Sequence, residues 1–444
     1  MAGGTWIDQN KVRPGVYINY KSAPASLATM GERGVVAIAR VLDWGEKGKF
    51  YTIENPSDCA KIGHAITDDE MLFVRQILLG SNRTQGATKI LLWSLSTTGG
   101  AKASATISDT TATAKYPGVF GNRLSFDIEH GDEGSPYTIN TYLDGVMVDS
   151  QTVMTWDESL HDNDYVTFSG DLTDGGVQTS LTGGSNGTLA TTAYSDFLSA
   201  LELQKFDVVI YDGVEAVTKT AFADFVKRLS NQEGVKCQAV LSDASNPDNE
   251  CVINVYPQAV KLTDGTQLTA PELTWWVGGA TAGANVFDSL TYAAYPDAVS
   301  INPILTSSQQ EAAINAGKFA LISQFDKIQV LTDINSFTTF SVEKGKAFRK
   351  NRVIRTIFGL CNDIYRTFAL YYIGAVHNDD EGRKALKAEI LDLMNKYQGN
   401  RALQNVEAED VTVLQGIDSD AVVIEIYCQP VDSIEKIYIN ITIS

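Results

Sequence analysis

Histidine and cysteine are scarce in this 444-residue chain, at four and five copies. His64, His130, His161 and His377 show no HxH, HExxH or Cys/His spacing, so no zinc site is outlined. Cys59, Cys237, Cys251, Cys361 and Cys428 lie far apart, odd in number and without a CxxC pair. We expect buried, reduced thiols there rather than a disulfide framework. Basic charge is short as well: 35 Lys and Arg against 54 Asp and Glu leave a net charge of −19. That sign argues against displacing counterions from nucleic acid. No apolar run reaches membrane-spanning length, and Met1-Ala2-Gly3-Gly4-Thr5-Trp6 lacks the basic-then-apolar layout of a signal peptide. The expectation is a protein that matures in the compartment that makes it.

Catalytic signatures are missing too. There is no GxSxG elbow, GxxxxGK[ST] phosphate loop or GxGxxG fingerprint. Gly183-Gly184-Ser185-Asn186-Gly187 follows no clear strand and reads as a turn. The aspartates around Asp127 to Asp132 and Asp171 to Asp174 lack the order of a calcium loop. Asp68-Asp69-Glu70 is accounted for by the first turn of a helix, with Thr67 and Glu70 as a capping box. No catalytic, cofactor-binding or metal-ligating residue is expected, and no cofactor.

What is present is enough apolar residue, 44% with 9% aromatic, for several packed domains. Residues 1–22 read as an arm, in which Pro14-Gly15 turns into the alternating Val16, Tyr17, Ile18 and Tyr20. Residues 23–98 and 191–335 share one α/β style, with strands at Val35 to Val41, Lys89 to Leu95, Phe206 to Tyr211, Lys236 to Leu241 and Cys251 to Tyr256. Between them, residues 99–190 are rich in Thr, Asp, Gly and Tyr with short alternating strands. We read an all-β insertion into a central α/β domain. Residues 336–433 form a C-terminal α+β domain, with helices at Glu343 to Phe368 and Asp380 to Tyr397. The second helix places Leu386, Ile390, Leu393, Met394 and Tyr397 on one face. The chain closes on a second arm, residues 434–444, where Ile437, Ile439, Ile441 and Ile443 alternate with Tyr438, Asn440 and Thr442. The fold class expected is α/β and α+β multidomain, completed by N- and C-terminal β arms.

One charge feature stands against the acidic background. Lys344, Lys346, Arg349, Lys350, Arg352 and Arg355 follow one another with no acid before Asp363. On a helix, Val353, Ile354, Ile357, Cys361, Ile364 and Phe368 make an apolar stripe with arginines opposite. Two readings stay open: a face neutralised by the protein's own acids, or a docking stripe for an acidic partner.

Four segments, in this order, resemble the tail sheath proteins of contractile-tailed phages and R-type bacteriocins. They are Pro14-Gly15-Val16-Tyr17, then Tyr116-Pro117-Gly118-Val119-Phe120-Gly121-Asn122, then Trp276-Val277-Gly278-Gly279-Ala280-Thr281-Ala282-Gly283 running on to Ser289-Leu290-Thr291-Tyr292, and Arg352-Val353-Ile354-Arg355-Thr356 with Cys361-Asn362-Asp363-Ile364. The resemblance implies a homo-oligomer of six-fold rings stacked helically around a tail tube protein, with baseplate and tail terminator proteins as further partners. It implies neither nucleic-acid binding nor direct membrane insertion. The place would be a virion or phage-tail-like particle, after synthesis in the bacterial host cytoplasm, and the action a contraction from a metastable extended state. Arms exchanged between neighbours would add strands to a sheet. That suits Val16, Tyr17, Ile18, Tyr20, Ile437, Tyr438, Ile439 and Ile441, because an isolated strand cannot satisfy its own backbone. Lys346, Arg349, Arg352 and Arg355 would then face the tube. The alternatives are a cytosolic α/β enzyme with a β insertion, or another self-assembling shell protein.

Overall fold

The computed structural model describes residues 30–131, 134–154 and 160–443. Val16, Tyr17, Ile18 and Tyr20 of the expected amino-terminal arm lie outside the described residues. Two compact units are formed, one from Glu32–Gly359 with Pro430–Ser444, the other from Leu360–Gln429 with the described end of Met1–Gly31.

The larger unit is built on seven strands: β1 (Val35–Arg40), β2 (Phe50–Ile53), β3 (Lys89–Ser94), β4 (Val208–Tyr211), β5 (Gln238–Ser242), β6 (Val252–Val255) and β7 (Lys318–Phe319). They pair in the order β7-β6-β5-β4-β1-β3-β2. Every pair is parallel except β2 with β3. Parallel strands need cover on both faces, which is why β4, β5 and β6 are buried at every position and are mostly apolar, with Gln238, Ser242 and Asn254 as buried polar exceptions. Alternate residues divide between two cores. Val36, Ile38, Ile90, Leu92, Val208 and Ile210 pack under α1 (Leu72–Leu79) and a later helix, Leu273–Gly283. Ala37, Ala39, Leu91, Val209, Tyr211 and Leu241 pack under α2 (Ala193–Leu201) and α3 (Ala216–Arg228). Each buried Val, Leu or Ile contributes about 1.5–3 kcal/mol.

The helix Leu273–Gly283, α4, has no solvent face, being buried from Leu273 to Ala282. A Cβ on Gly279 would lie 2.0 Å from the Ile77 carbonyl oxygen of α1, and one on Gly283 would lie 2.2 Å from the Gly86 oxygen. The glycines let two backbones touch. Trp276 then stacks on Tyr295 with centroids 4.2 Å apart, and its indole N–H donates to the Gly80 carbonyl at 2.7 Å.

Between β3 and α2 the chain leaves to build a β-sandwich through a neck in which Thr97–Thr98 pairs antiparallel with Thr188–Leu189. A four-stranded sheet (Gly176–Ser180, Leu124–His130, Tyr137–Leu143, Val146–Val153) and a three-stranded one (Val166–Gly170, Thr110–Ala114, Ser104–Ile107) enclose Phe120, Phe126, Ile128, Ile139 and Leu181. Trp44, from the α/β domain, completes that core against Tyr116, Phe120 and Tyr165. Gly118 makes the approach possible: with φ at 151°, any Cβ there would lie 1.7 Å from the Asp43 carbonyl oxygen.

After a short helix, α5 (Ser307–Asn315), comes α6 (Asn351–Tyr371), which begins later than the expected Glu343. Gly345 and a run of cations without acids favour no helix there. The segment takes tertiary bonds instead, including a strand-like bridge from Lys350 to Ile334 and a bond from the Asn335 amide to the Phe348 carbonyl at 2.9 Å. In the smaller unit, α7 (Asp380–Gly399) is capped by Asp379, which accepts the Gly382 N–H at 2.8 Å. It buries Leu386, Ile390, Leu393, Met394 and Tyr397, the five residues expected, and packs on β8 (Val411–Gln415), whose hairpin partner is β9 (Val422–Ile426).

Candidate assembly surfaces

Most of the basic run is engaged within its own unit. Lys344 pairs with Glu250 and Lys350 with Glu435, while Arg355 reaches Asp333 at 3.5 Å. Arg355 corrects the tube-facing expectation, because it is only 6% exposed. Its Nη1 donates to the Asp288 carbonyl at 2.8 Å. Asp333, 1% exposed, also accepts the Leu290 N–H at 3.0 Å and the Asn351 side-chain N–H at 2.9 Å. The face expected to look outward is a fastening for the start of α6. The expected apolar stripe turns with it: Val353 and Ile354 are buried, whereas Ile357, Cys361, Ile364 and Phe368 are half-buried.

Lys346 and Arg349 are not on α6 at all. They sit on a 3-10 turn, Lys346–Arg349. Lys346 is exposed. Arg349 is half-buried beside the Phe340 ring, 6.0 Å from its centroid, and burial lowers its pKa. Arg352 is half-buried and likewise lowered by burial, with the Asp432 charge opposing.

The carboxyl-terminal tail takes no strand pairing within this chain among the described residues. Its alternating side chains face solvent: Ile437, Tyr438, Ile439 and Ile441 are 75%, 90%, 74% and 84% exposed. In the smaller unit, β8 and β9 form a two-stranded sheet, with Leu414 and Val423 exposed.

One polar site escaped the sequence reading. His64 is buried, with Nε2 2.8 Å from Asp43 and Nδ1 3.2 Å from Asp68, and its ring edge meets Phe120 at 5.6 Å. Burial opposes its charge, but the Asp43 and Asp68 carboxylates outweigh that and hold its pKa above the ordinary value. Asp68 is therefore occupied by His64 and by the Ala65 N–H at 3.0 Å, and the Thr67–Glu70 capping box does not form. The signal that could have found the site is the His64-x-x-x-Asp68 spacing, although Asp43 lies 21 residues away. Among the described residues, no group of three or more His, Cys, Asp or Glu is placed to hold a metal ion. Cys59, Cys237 and Cys251 are buried, and Cys361 and Cys428 are half-buried.

A doubly wound domain, a β-sandwich grafted on it and an exposed strand-patterned tail make up a subunit suited to assembly. Comparison with known proteins agrees. Four family models match in chain order: the tail sheath protein Gp18 domain III N-terminal region over residues 33–93, the phage tail sheath protein beta-sandwich domain over 98–186, the phage tail sheath protein central domain over 187–336, and the phage tail sheath C-terminal domain over 343–444. The crystal structure of the sheath tail protein from Desulfitobacterium hafniense is 40% identical, with a TM-score of 0.84 over 96% of this chain and 99% of that one. The phage-like element PBSX protein XkdK of Bacillus subtilis is 32% identical over the full length of both chains. The helical sheath of the anti-feeding prophage in its contracted state shares the fold at 12% identity, with a TM-score of 0.57 over 97% and 99%. The chain belongs to the phage tail sheath family, whose members are structural proteins of phage or phage-like tails.

Proposed function

We propose that this chain is the subunit of a contractile sheath, polymerising as stacked hexameric rings around a tail tube and shortening from a metastable extended state to drive that tube through a target envelope. The observation that carries the reading is the tail: four alternating isoleucines stand in solvent on a segment without a strand partner among the described residues. Extended backbone of that pattern is completed by a sheet edge, and the two-stranded β8–β9 sheet of a neighbouring copy supplies one. Each cross-strand pair is worth about 0.2–1 kcal/mol, so a joint of a few pairs hinges without failing, and many joints make a strong mesh. The fold shared with a sheath solved in a contracted state supports shortening by movement of whole subunits on such joints. No nucleotide enters the reading, because the contracted packing is the lower in free energy.

Of the basic run, Lys346 is the exposed member left to meet an acidic tube surface. A single exposed pair is worth about 0–1 kcal/mol, weak enough to break as the sheath fires. Baseplate and terminator proteins would meet the two ends of the stack. The test is deletion of residues 434–444. The shortened chain is expected to remain folded by circular dichroism and to form no tubes under the electron microscope where the full chain does. Tubes of unchanged length and abundance would overturn the arm reading.

A further inference from the structure

The tail is not loose throughout. From residue 434 to 443 every position is exposed except Glu435. Its Oε1 accepts the Thr291 hydroxyl at 2.8 Å and the Ser433 hydroxyl at 3.4 Å; its Oε2 accepts the Thr332 hydroxyl at 3.3 Å and pairs with the Lys350 ammonium. Four donors saturate one carboxylate that is 16% exposed. The Thr291 hydroxyl is already oriented, since it accepts the Asp333 N–H at 2.9 Å and has its own proton left for Glu435. Asp333 in turn binds Asn351 at 2.9 Å and Arg355 at 3.5 Å. A continuous polar chain therefore runs from the tail into the first turn of α6. Two residues upstream of Ser433, at Val431, the tail is half-buried, and Asp432 acts electrostatically on Arg352.

We propose that Glu435 is a latch fixing the root of the carboxyl-terminal arm to its own subunit, so that only residues beyond it are free to reach a neighbour. The proposal rests on the arm reading above and adds a defined pivot to it. A pull on the arm is delivered at Lys350, Thr291 and Thr332 of the larger unit instead of unravelling the chain back toward Gln429. The carboxylate is specific to this task. A glutamine there would turn an N–H₂ donor toward Lys350 or the threonines, and an alanine would leave three donors on the body without their acceptor.

Trypsin offers a direct test, because the bond after Lys436 adjoins the latch and cleavage requires that stretch to detach. Lys350→Met leaves the scissile sequence and the stem packing unchanged while removing the counter-charge. In the unassembled full chain, Lys350→Met is expected to raise cleavage after Lys436 by about fivefold, the weight of a partly screened ion pair. Raising salt to about 1 M, where screening shortens to about 3 Å, should speed cleavage of the wild type and leave Lys350→Met unmoved. Glu435→Ala, with its rate normalised to the corresponding free peptide, should show the same rise. Equal rates in wild type and Lys350→Met at low salt would overturn the latch. The deletion of residues 434–444 decides the arm reading on tube formation alone, so failure of one is distinguishable from failure of the other.

Discussion

Replacing Arg355 by glutamate separates two accounts of the basic run. On a tube-facing stripe, reversal leaves the subunit folded and weakens only docking. In the structure, the guanidinium is buried between the Asp288 carbonyl and the Asp333 carboxylate. Deleting it leaves Asp333, 1% exposed, without its counter-charge. Breaking a buried pair in this way costs about 3–5 kcal/mol. A carboxylate in its place adds like-charge repulsion across a poorly screened gap, so Arg355→Glu belongs at or beyond the top of that range. Domains of this kind hold about 5–15 kcal/mol in total, and such a loss is a large part of it. Lys346→Glu, on an exposed turn, should stay within about 0.5 kcal/mol of wild type. Urea titration of the unassembled proteins, followed by fluorescence of the buried Trp275 and Trp276, measures both variants. The fastening account is refuted if Arg355→Glu unfolds within about 1 kcal/mol of wild type.

Gly279→Ala forces α1 and α4 apart against the Ile77 backbone and should cost about 1–3 kcal/mol despite the better helix propensity of alanine. Gly278→Ala meets the Ile210 side-chain end at 2.4 Å and should cost less; the reverse ranking in thermal melts would contradict the packing. For His64, the folded-state pKa lies above its ordinary value of 6.5. Its contribution is therefore fully present below the unfolded-state pKa and lost as pH rises through the folded one. The melting-temperature gap between wild type and His64→Gln should shrink as pH is raised above 6.5, and a constant gap would count against a charged imidazole. Burial pushes the Cys251 thiol up to about 11, and raises Cys237 further, so both should resist iodoacetamide until the chain is denatured.

Regular amphipathicity was legible, and long-range polarity was not. The buried face of α7 follows from spacing alone, because Leu386, Ile390, Leu393, Met394 and Tyr397 recur at helical intervals and nothing else competes for them. The parallel strands were visible as apolar runs, and the sandwich as short alternating segments between two stretches of matching style. The basic run misled because a helical wheel registers only neighbours three and four residues away. The partners that decide its orientation lie much farther off: Glu250 is 94 residues from Lys344, Glu435 is 85 from Lys350 and Asp333 is 22 from Arg355. Between a face neutralised by the protein's own acids and one held for a partner, the first prevails at Lys344, Lys350 and Arg355. The tail was legible in its alternation, but the exception at Glu435 was not, since its meaning depends on Thr291 and Thr332 lying beneath it.

Assembly of the purified full-length chain tests the central claim most directly. Concentrated without nucleotide or any other protein and imaged by electron microscopy, it should form long hollow tubes whose end views and helical reconstruction show six subunits per ring, with the residue 434–443 strand of each subunit added to the β8–β9 sheet of another. A chain that stays monomeric or stops at a small closed oligomer under those conditions would contradict the account.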